Sequence, residues 1–358
     1  MNRVFFVDVN GTPGCGVLTR IEKLCRTAGL EEIISERDLV AVKLHFGELG
    51  NTRMLRPQFV RVISDLIRKK SGQPFLTDCN TLFTRNRYNA VCHLETAGFN
   101  GFNQSMVNAP IIVADGLRGL DYRLVKAADG LETVKVGSAI YDADKLVVVT
   151  HFKGHDDVGF GGIIKNLGMG AIARSGKQKI HSHVKPVIDR SLCNGCGLCE
   201  KNCPQSAITS KGTSENTIDL QRCDNCGNCL VVCPCQAIPI QWERDDLDIQ
   251  RKLVESCAAV LSNKKDRCFF ISFLVDVTAF CDCRSWSPVP LVGDIGILAG
   301  TDPVAVEQAS VDLVERMIKE KYGDKTLSDL VGIDGFHQLK YAEELGLGSR
   351  SYRLEMIE

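Results

Sequence analysis

From Cys193 the chain runs Cys193-x-x-Cys196-x-x-Cys199-x-x-x-Cys203-Pro204, and it repeats the pattern as Cys223-x-x-Cys226-x-x-Cys229-x-x-x-Cys233-Pro234. Two copies of this spacing are the signature of a bacterial ferredoxin that holds two [4Fe–4S] clusters. Closely spaced thiolates wrap one corner of a cubane, with tight backbone supplied by Gly195, Gly197 and Gly227. The turn before proline carries the fourth cysteine away to the other cluster. One cluster therefore takes Cys193, Cys196, Cys199 and Cys233, and the other takes Cys223, Cys226, Cys229 and Cys203. Paired C-x-x-C also binds zinc, but zinc explains neither the third cysteine of each triplet nor the proline. With every ligand position a cysteine, such clusters are expected to carry electrons and not to bind substrate. Ala207-Ile208 and Ala237-Ile238 follow the two motifs as apolar shielding.

A second set of chemically capable residues stands at the ends of apolar runs. Val40–Phe46 reads as a strand ending at His45, and Pro74–Asp78 as one ending at Asp78, with Asn80 just beyond. Ile111–Ala114 ends at Asp115, and Lys145–Thr150 ends at His151, with Lys153 and His155 behind it. In parallel α/β sheets ligands bind outside the carboxyl ends of the strands, so these groups are expected to share a crevice. His45, His151, Lys153 and His155 are the candidates for catalysis; Asp78, Asn80, Asp115, Lys165 and Asn166 are the candidates for binding a cofactor or ligand. His151-x-x-x-His155 has metal spacing only on a helix, which Gly154 opposes. The Gly159–Gly170 stretch admits two readings: an anion-holding backbone with Lys165 as counter-charge, or close packing against the cysteine-rich insert. His181 and His183 read as exposed. Cys281-Asp282-Cys283 is spaced too closely for a comfortable disulfide; a metal corner, a redox pair or buried small hydrophobes all remain open.

The elements that must position these groups are of α/β type. A helix with apolar positions at Phe59, Val62, Ile63, Leu66 and Ile67 follows the first of these strands. After the cysteine motifs come strands at Phe269–Phe273 and Ile295–Leu298. Asp302 then caps a helix that has Pro303 in its first turn and runs to about Lys321. The expected architecture is a mostly parallel-sheet α/β domain (1–185 and 243–358) interrupted by a small α+β ferredoxin-like insertion (186–242).

Composition bounds the partners. The 358 residues include 43 basic and 44 acidic side chains, a formal charge of −1, which removes the electrostatic reason to expect nucleic acid or an anionic membrane. No apolar run approaches the roughly 18 residues of a membrane span. Met1–Asp8 meets an acid too soon for a signal peptide and reads as a strand, so a cytoplasmic chain is expected. The 17 cysteines, an odd count with eight of them between 193 and 233, favour a metal centre in a reducing compartment over a disulfide framework.

On Lys43–Glu48, Thr77–Leu82, Asp115–Leu117, His151–His155, Gly159–Gly170, Cys281–Cys283 and Asp302–Ala305, the chain resembles the family of bacterial and archaeal "uncharacterized Fe–S center proteins" from about Val40 to Leu313. Cys79 stands where that family more often has Thr. The resemblance implies an α/β body with an embedded two-cluster module and no particular substrate. A looser, fold-level likeness is to the nickel-pincer lactate racemases. The expected function is an iron–sulfur redox protein. Its insert relays electrons to or from a small-molecule, metal or cofactor site in the crevice, served by a redox partner protein. The alternative is a carrier, maturation or sensor protein with no catalytic site of its own.

Overall fold

The computed structural model describes residues 1–83, 85–127, 131–181, 185–212, 216–240 and 245–357. Its strands are β1 (Asn2–Asp8), β2 (Leu39–Lys43), β3 (Gln73–Asp78), β4 (Ile111–Val113), β5 (Tyr122–Lys126), β6 (Thr133–Gly137), β7 (Lys145–His151), β8 (Lys153–His155), β9 (Gly159–Gly161), β10 (Ile208–Thr209), β11 (Thr217–Ile218), β12 (Cys268–Leu274), β13 (Gly296–Gly300) and β14 (Tyr352–Met356). Eight of them form the main sheet in the order β14-β1-β13-β12-β7-β2-β3-β4. Only β13 runs against the rest, pairing antiparallel with both β1 and β12. The fold is thus α/β with a large, mostly parallel sheet.

Both faces of this sheet are covered, which is why its strands read as nearly continuous apolar runs. Along β7, Leu146 and Val148 join one core, while Val147 and Val149 join the other, following the two-residue alternation of a strand. Helices Val17–Thr27 and Pro57–Lys69 cover one face through Ile21, Leu24, Phe59 and Ile63. Ile163–Gly168, Asp246–Leu261 and Pro303–Tyr322 cover the other through Leu167, Leu253 and Val306.

The sheet draws strands from both sides of the cysteine-rich segment: β12, which follows it, pairs directly with β7, which precedes it. The segment has its own small core of Ile208, Cys229, Leu230 and Ile238. Its two halves repeat each other in geometry. Asp189 N donates to Ala237 O and Asp219 N to Ala207 O, both at 2.7 Å, and Gly197 and Gly227 both have φ of 69°. The carboxyl boundary placed at residue 242 lies outside the described residues.

Candidate functional site

The carboxyl ends of β7, β2, β3 and β4 lie side by side. The chain adds β3 and β4 on one side of β2 and later β7 on the other, so the order reverses between β2 and β7. Crevices open at such reversals. Here it holds a cavity of about 690 Å³ lined by, among others, Lys43, His45, Asp78, Lys153, His155 and Lys165.

Lys43 spans the reversal point. Its ammonium donates to Asn166 Oδ1 (2.7 Å) and pairs with Asp78 Oδ1 (3.0 Å), while Asn166 Nδ2 donates to Val149 O (3.1 Å) and Thr150 Oγ1 (2.9 Å) on β7. Burial alone would push the Asp78 carboxyl up; Lys43, His93, Lys177 and Arg87 outweigh it and hold the group below its usual range. Arg87 also pairs with Glu48 at 3.1 Å.

His45 and His155 line the cavity in matching ways. Each Nδ1 accepts a backbone N–H from two residues on, Gly47 and Asp157, both at 3.0 Å. Burial first, then nearby cations, holds both imidazoles well below their ordinary pKa. Both are therefore neutral, with the proton on Nε2 and available to a ligand. His151 is different: Nδ1 meets Asp282 Oδ2 at 2.9 Å and Nε2 meets Val275 O at 2.7 Å. Both nitrogens face acceptors, so the ring is a buried strut between β7 and the loop after β12, and it is not among the cavity-lining residues. Because β7 and β8 are extended, His151 and His155 do not share the face that a helix would give them.

Asn80 and Asp115 also lie apart from the cavity lining. Asp115 Oδ1 accepts from Asn80 N and Nδ2 (both 2.9 Å), and Oδ2 accepts from Arg174 N (2.8 Å), which ties the ends of β3 and β4 to the helix Arg174–His181. Of the residues picked out by sequence, the structure brings His45, Asp78, Lys153, His155, Lys165, Asn166 and Cys283 to the cavity.

The glycine-rich stretch packs against the α/β body. A Cβ on Gly168 would sit 2.1 Å from Leu253 O, and one on Gly162 would sit 2.5 Å from Glu307 Oε1. Glu307 in turn accepts the N–H of Ile164 at 2.7 Å. Lys165 projects from this helix into the cavity, and no hydrogen bond or ion pair to its ammonium is found among the described residues. Burial, then Lys153, lowers it to about 7. Burial likewise lowers Lys153 and Lys177.

Cavity-wall residues to which the sequence assigned no functional role include Lys43, Arg87, Lys177 and His181. Lys43 carried a signal, a lysine inside an apolar strand. Lys177 and His181 carried none beyond helical spacing. His181 is buried, not exposed, because its helix packs beneath Asp246–Leu261; His183 lies outside the described residues. Of the readings left open for Cys281 and Cys283, the structure shows a pair: the two sulfurs are joined, with the Cα atoms 5.4 Å apart.

The eight motif cysteines sort into two groups. Cys193, Cys196, Cys199 and Cys233 line one pocket; Cys203, Cys223, Cys226 and Cys229 line another. The second group faces the α/β body. Gly227 lies so close to Leu82, a cavity-lining residue, that a Cβ there would sit 2.5 Å from Leu82 Cδ1. Lys135 pairs with Asp224 at 2.9 Å, and Arg174 donates to Asn228.

A family model described as a domain of unknown function, DUF362, matches residues 40–312. The chain belongs to the DUF362 family. No curated protein matches this DUF362 chain. A solved structure that resembles it is the lactate racemase apoprotein from Thermoanaerobacterium thermosaccharolyticum, with TM-score 0.45 and 14% identity over 87% of this chain. The match spans 57% of that protein's length.

Proposed function

We propose that this DUF362 protein is an iron–sulfur redox protein. The segment 186–242 is a ferredoxin-like insertion whose two [4Fe–4S] clusters exchange electrons with an anionic small molecule held in the cavity. The observation that carries the reading is the crossed sorting of the cysteines, three from one motif and the fourth from the other, around two separate pockets.

Two further features support cubanes over zinc. A tetrahedral zinc site needs sulfurs about 3.8 Å apart, from Zn–S bonds of about 2.3 Å. Among the described residues, no three of the motif cysteines have all their sulfurs within 4.8 Å of one another. Hydrogen bonds also point at the sulfurs, a feature that tunes iron–sulfur potentials. Ala207 N donates to Cys203 Sγ (3.2 Å), Ala237 N to Cys233 Sγ (3.3 Å) and Asn216 Nδ2 to Cys193 Sγ (2.9 Å).

Among the residues lining the cavity, Lys43, Arg85, Arg87, Lys153, Lys165, Lys177 and Arg284 outnumber Asp78, Asp156, Asp157 and Asp246, which favours an anion. His45 and His155 stand as Nε2–H donors for its proton transfers. The cluster against Leu82 would serve the cavity, and the one with exposed Cys196 would face a redox partner protein. Anaerobic titration with dithionite tests the reading. A broad visible absorption that bleaches reversibly, with electron uptake approaching two per chain, supports it; a chain with no bleachable absorption after iron–sulfur reconstitution refutes it.

A further inference from the structure

We propose that His155, Cys281 and Cys283 form a site for one thiophilic divalent metal ion that opens onto the cavity. One ring nitrogen of His155 and the two sulfurs lie within 4.8 Å of one another. The segments that carry them are locked together by backbone. Gly154 N donates to Thr278 O at 2.8 Å, and a Cβ on Gly154 would sit 2.6 Å from Ala279 O. Glu48 N binds Asp282 O at 2.9 Å, and Asp282 itself is held by His151 and Lys153. The donor set is therefore fixed from both sides.

Its chemistry selects the ion. Two thiolates and an imidazole suit zinc, ferrous iron, cobalt or nickel and not magnesium or calcium. Three protein ligands leave a fourth position, as in catalytic zinc sites. Because His155 and Cys283 both line the cavity, that position faces it, and the ammonium of Lys165 lines the same space. An anion there would bridge metal and ammonium. His155 has its outer support in place. Nδ1 takes the N–H of Asp157, which leaves Nε2 for the metal, so that in the metal-filled site proton donation falls to His45 alone. Asp156 Oδ1 and Asp157 Oδ2 stand 3.8 and 3.9 Å from Nδ1. For Nε2 to bind metal the ring proton must leave that atom; on Nδ1 it displaces the Asp157 N–H, and the Asp156 and Asp157 carboxylates must close in by about 1 Å to accept it.

The disulfide makes the site conditional. A phosphine reductant, with water, converts the disulfide to two thiols and is itself oxidised to the phosphine oxide. Metal uptake then releases the two thiol protons. Exchange with a small-molecule disulfide, which takes up the two electrons and two protons and leaves as two thiols, re-forms the Cys281–Cys283 bond and expels the ion. The inference stands apart from the cluster assignment and survives if that assignment fails.

The test uses the anaerobically purified full chain with whatever iron it carries, supplied with zinc before and after phosphine reduction. The readouts are metals per chain after desalting and zinc-edge X-ray absorption, which iron does not disturb. Reduced protein should take up one zinc per chain with sulfur at about 2.3 Å and nitrogen at about 2.0 Å, without loss of iron; unreduced protein should take up none. The double variant Cys281→Ser, Cys283→Ser should bind zinc at least about 100-fold more weakly, and His155→Ala about tenfold, with unchanged iron content. Two outcomes would overturn the proposal: reduced wild-type protein that takes up no zinc, or equal uptake by the double serine variant.

Discussion

At Lys165 burial has lowered an ammonium to about 7 without giving it a partner among the described residues, so its charge is set by the pH range in which proteins work. The sign follows directly. Below about pH 7 the group is protonated and attracts an anion; above it the charge and the attraction are lost. Affinity for pyruvate, used as a carboxylate probe that stays ionised throughout, should fall as pH rises through about 7 by titration calorimetry. Lys165→Gln should weaken binding at about pH 6 tenfold or more and flatten the profile. An affinity that is level with pH in the wild type would remove Lys165 from the binding site. The same depression acts on stability. Between about pH 7 and the ordinary lysine value the unfolded chain binds more protons here than the folded one, so this group's contribution to stability rises with pH. At His151 the expectation is different in kind. The ring is pinned between Asp282 and Val275 O, so His151→Ala leaves a buried carboxylate short of its partner. Lys153, 3.6 Å from Asp282, remains as a partner, so the expected cost in urea unfolding is about 1–3 kcal/mol, that of a lost buried hydrogen-bond partner.

Among the elements, the short helix Ile163–Gly168 is packed closely against Asp246–Leu261. Gly168 touches the backbone of Leu253, so Gly168→Ala must push two helices apart. The expected loss is about 1–3 kcal/mol by urea unfolding, together with weaker pyruvate binding because Lys165 and Asn166 ride on the displaced helix. A variant with wild-type stability would show that the contact relaxes freely. This scale also shows where sequence legibility ends. The strands ending at Lys43, Asp78 and His151 were readable because burial on both faces makes them uninterrupted apolar runs. Helix Pro303–Tyr322 was readable from Asp302 and Pro303, and Asp302 does accept the N–H of Ala305 at 2.8 Å. Helix Asp246–Leu261, which roofs the cavity, was not. It buries Gln250, Lys252 and Glu255 alongside its apolar residues, which blurs the periodicity that marks a one-sided helix. The reversed direction of β13 has no signature in residue type at all. At the site, strand-end position located His45, Asp78 and the residues after β7. It could not separate His155, which faces the cavity, from His151, which faces a carboxylate and a carbonyl, because that depends on where the loop after β12 returns.

For the whole molecule, the proposed clusters would stand in an order: an outer one beside exposed Cys196, an inner one against Leu82, then the cavity. Cys203 supplies the inner group although it lies in the first motif. Cys203→Ser should therefore leave the outer cluster intact and halve the iron. It should also slow electron delivery to any cavity ligand more than the matching change Cys233→Ser does; equal effects would erase the inner–outer distinction. Everything in this order depends on what the eight thiolates hold. The most direct test is the iron, acid-labile sulfide and zinc content of the anaerobically purified chain. The account predicts about eight irons and eight sulfides per chain. About two zincs, with iron and sulfide near zero even after reconstitution, would contradict it.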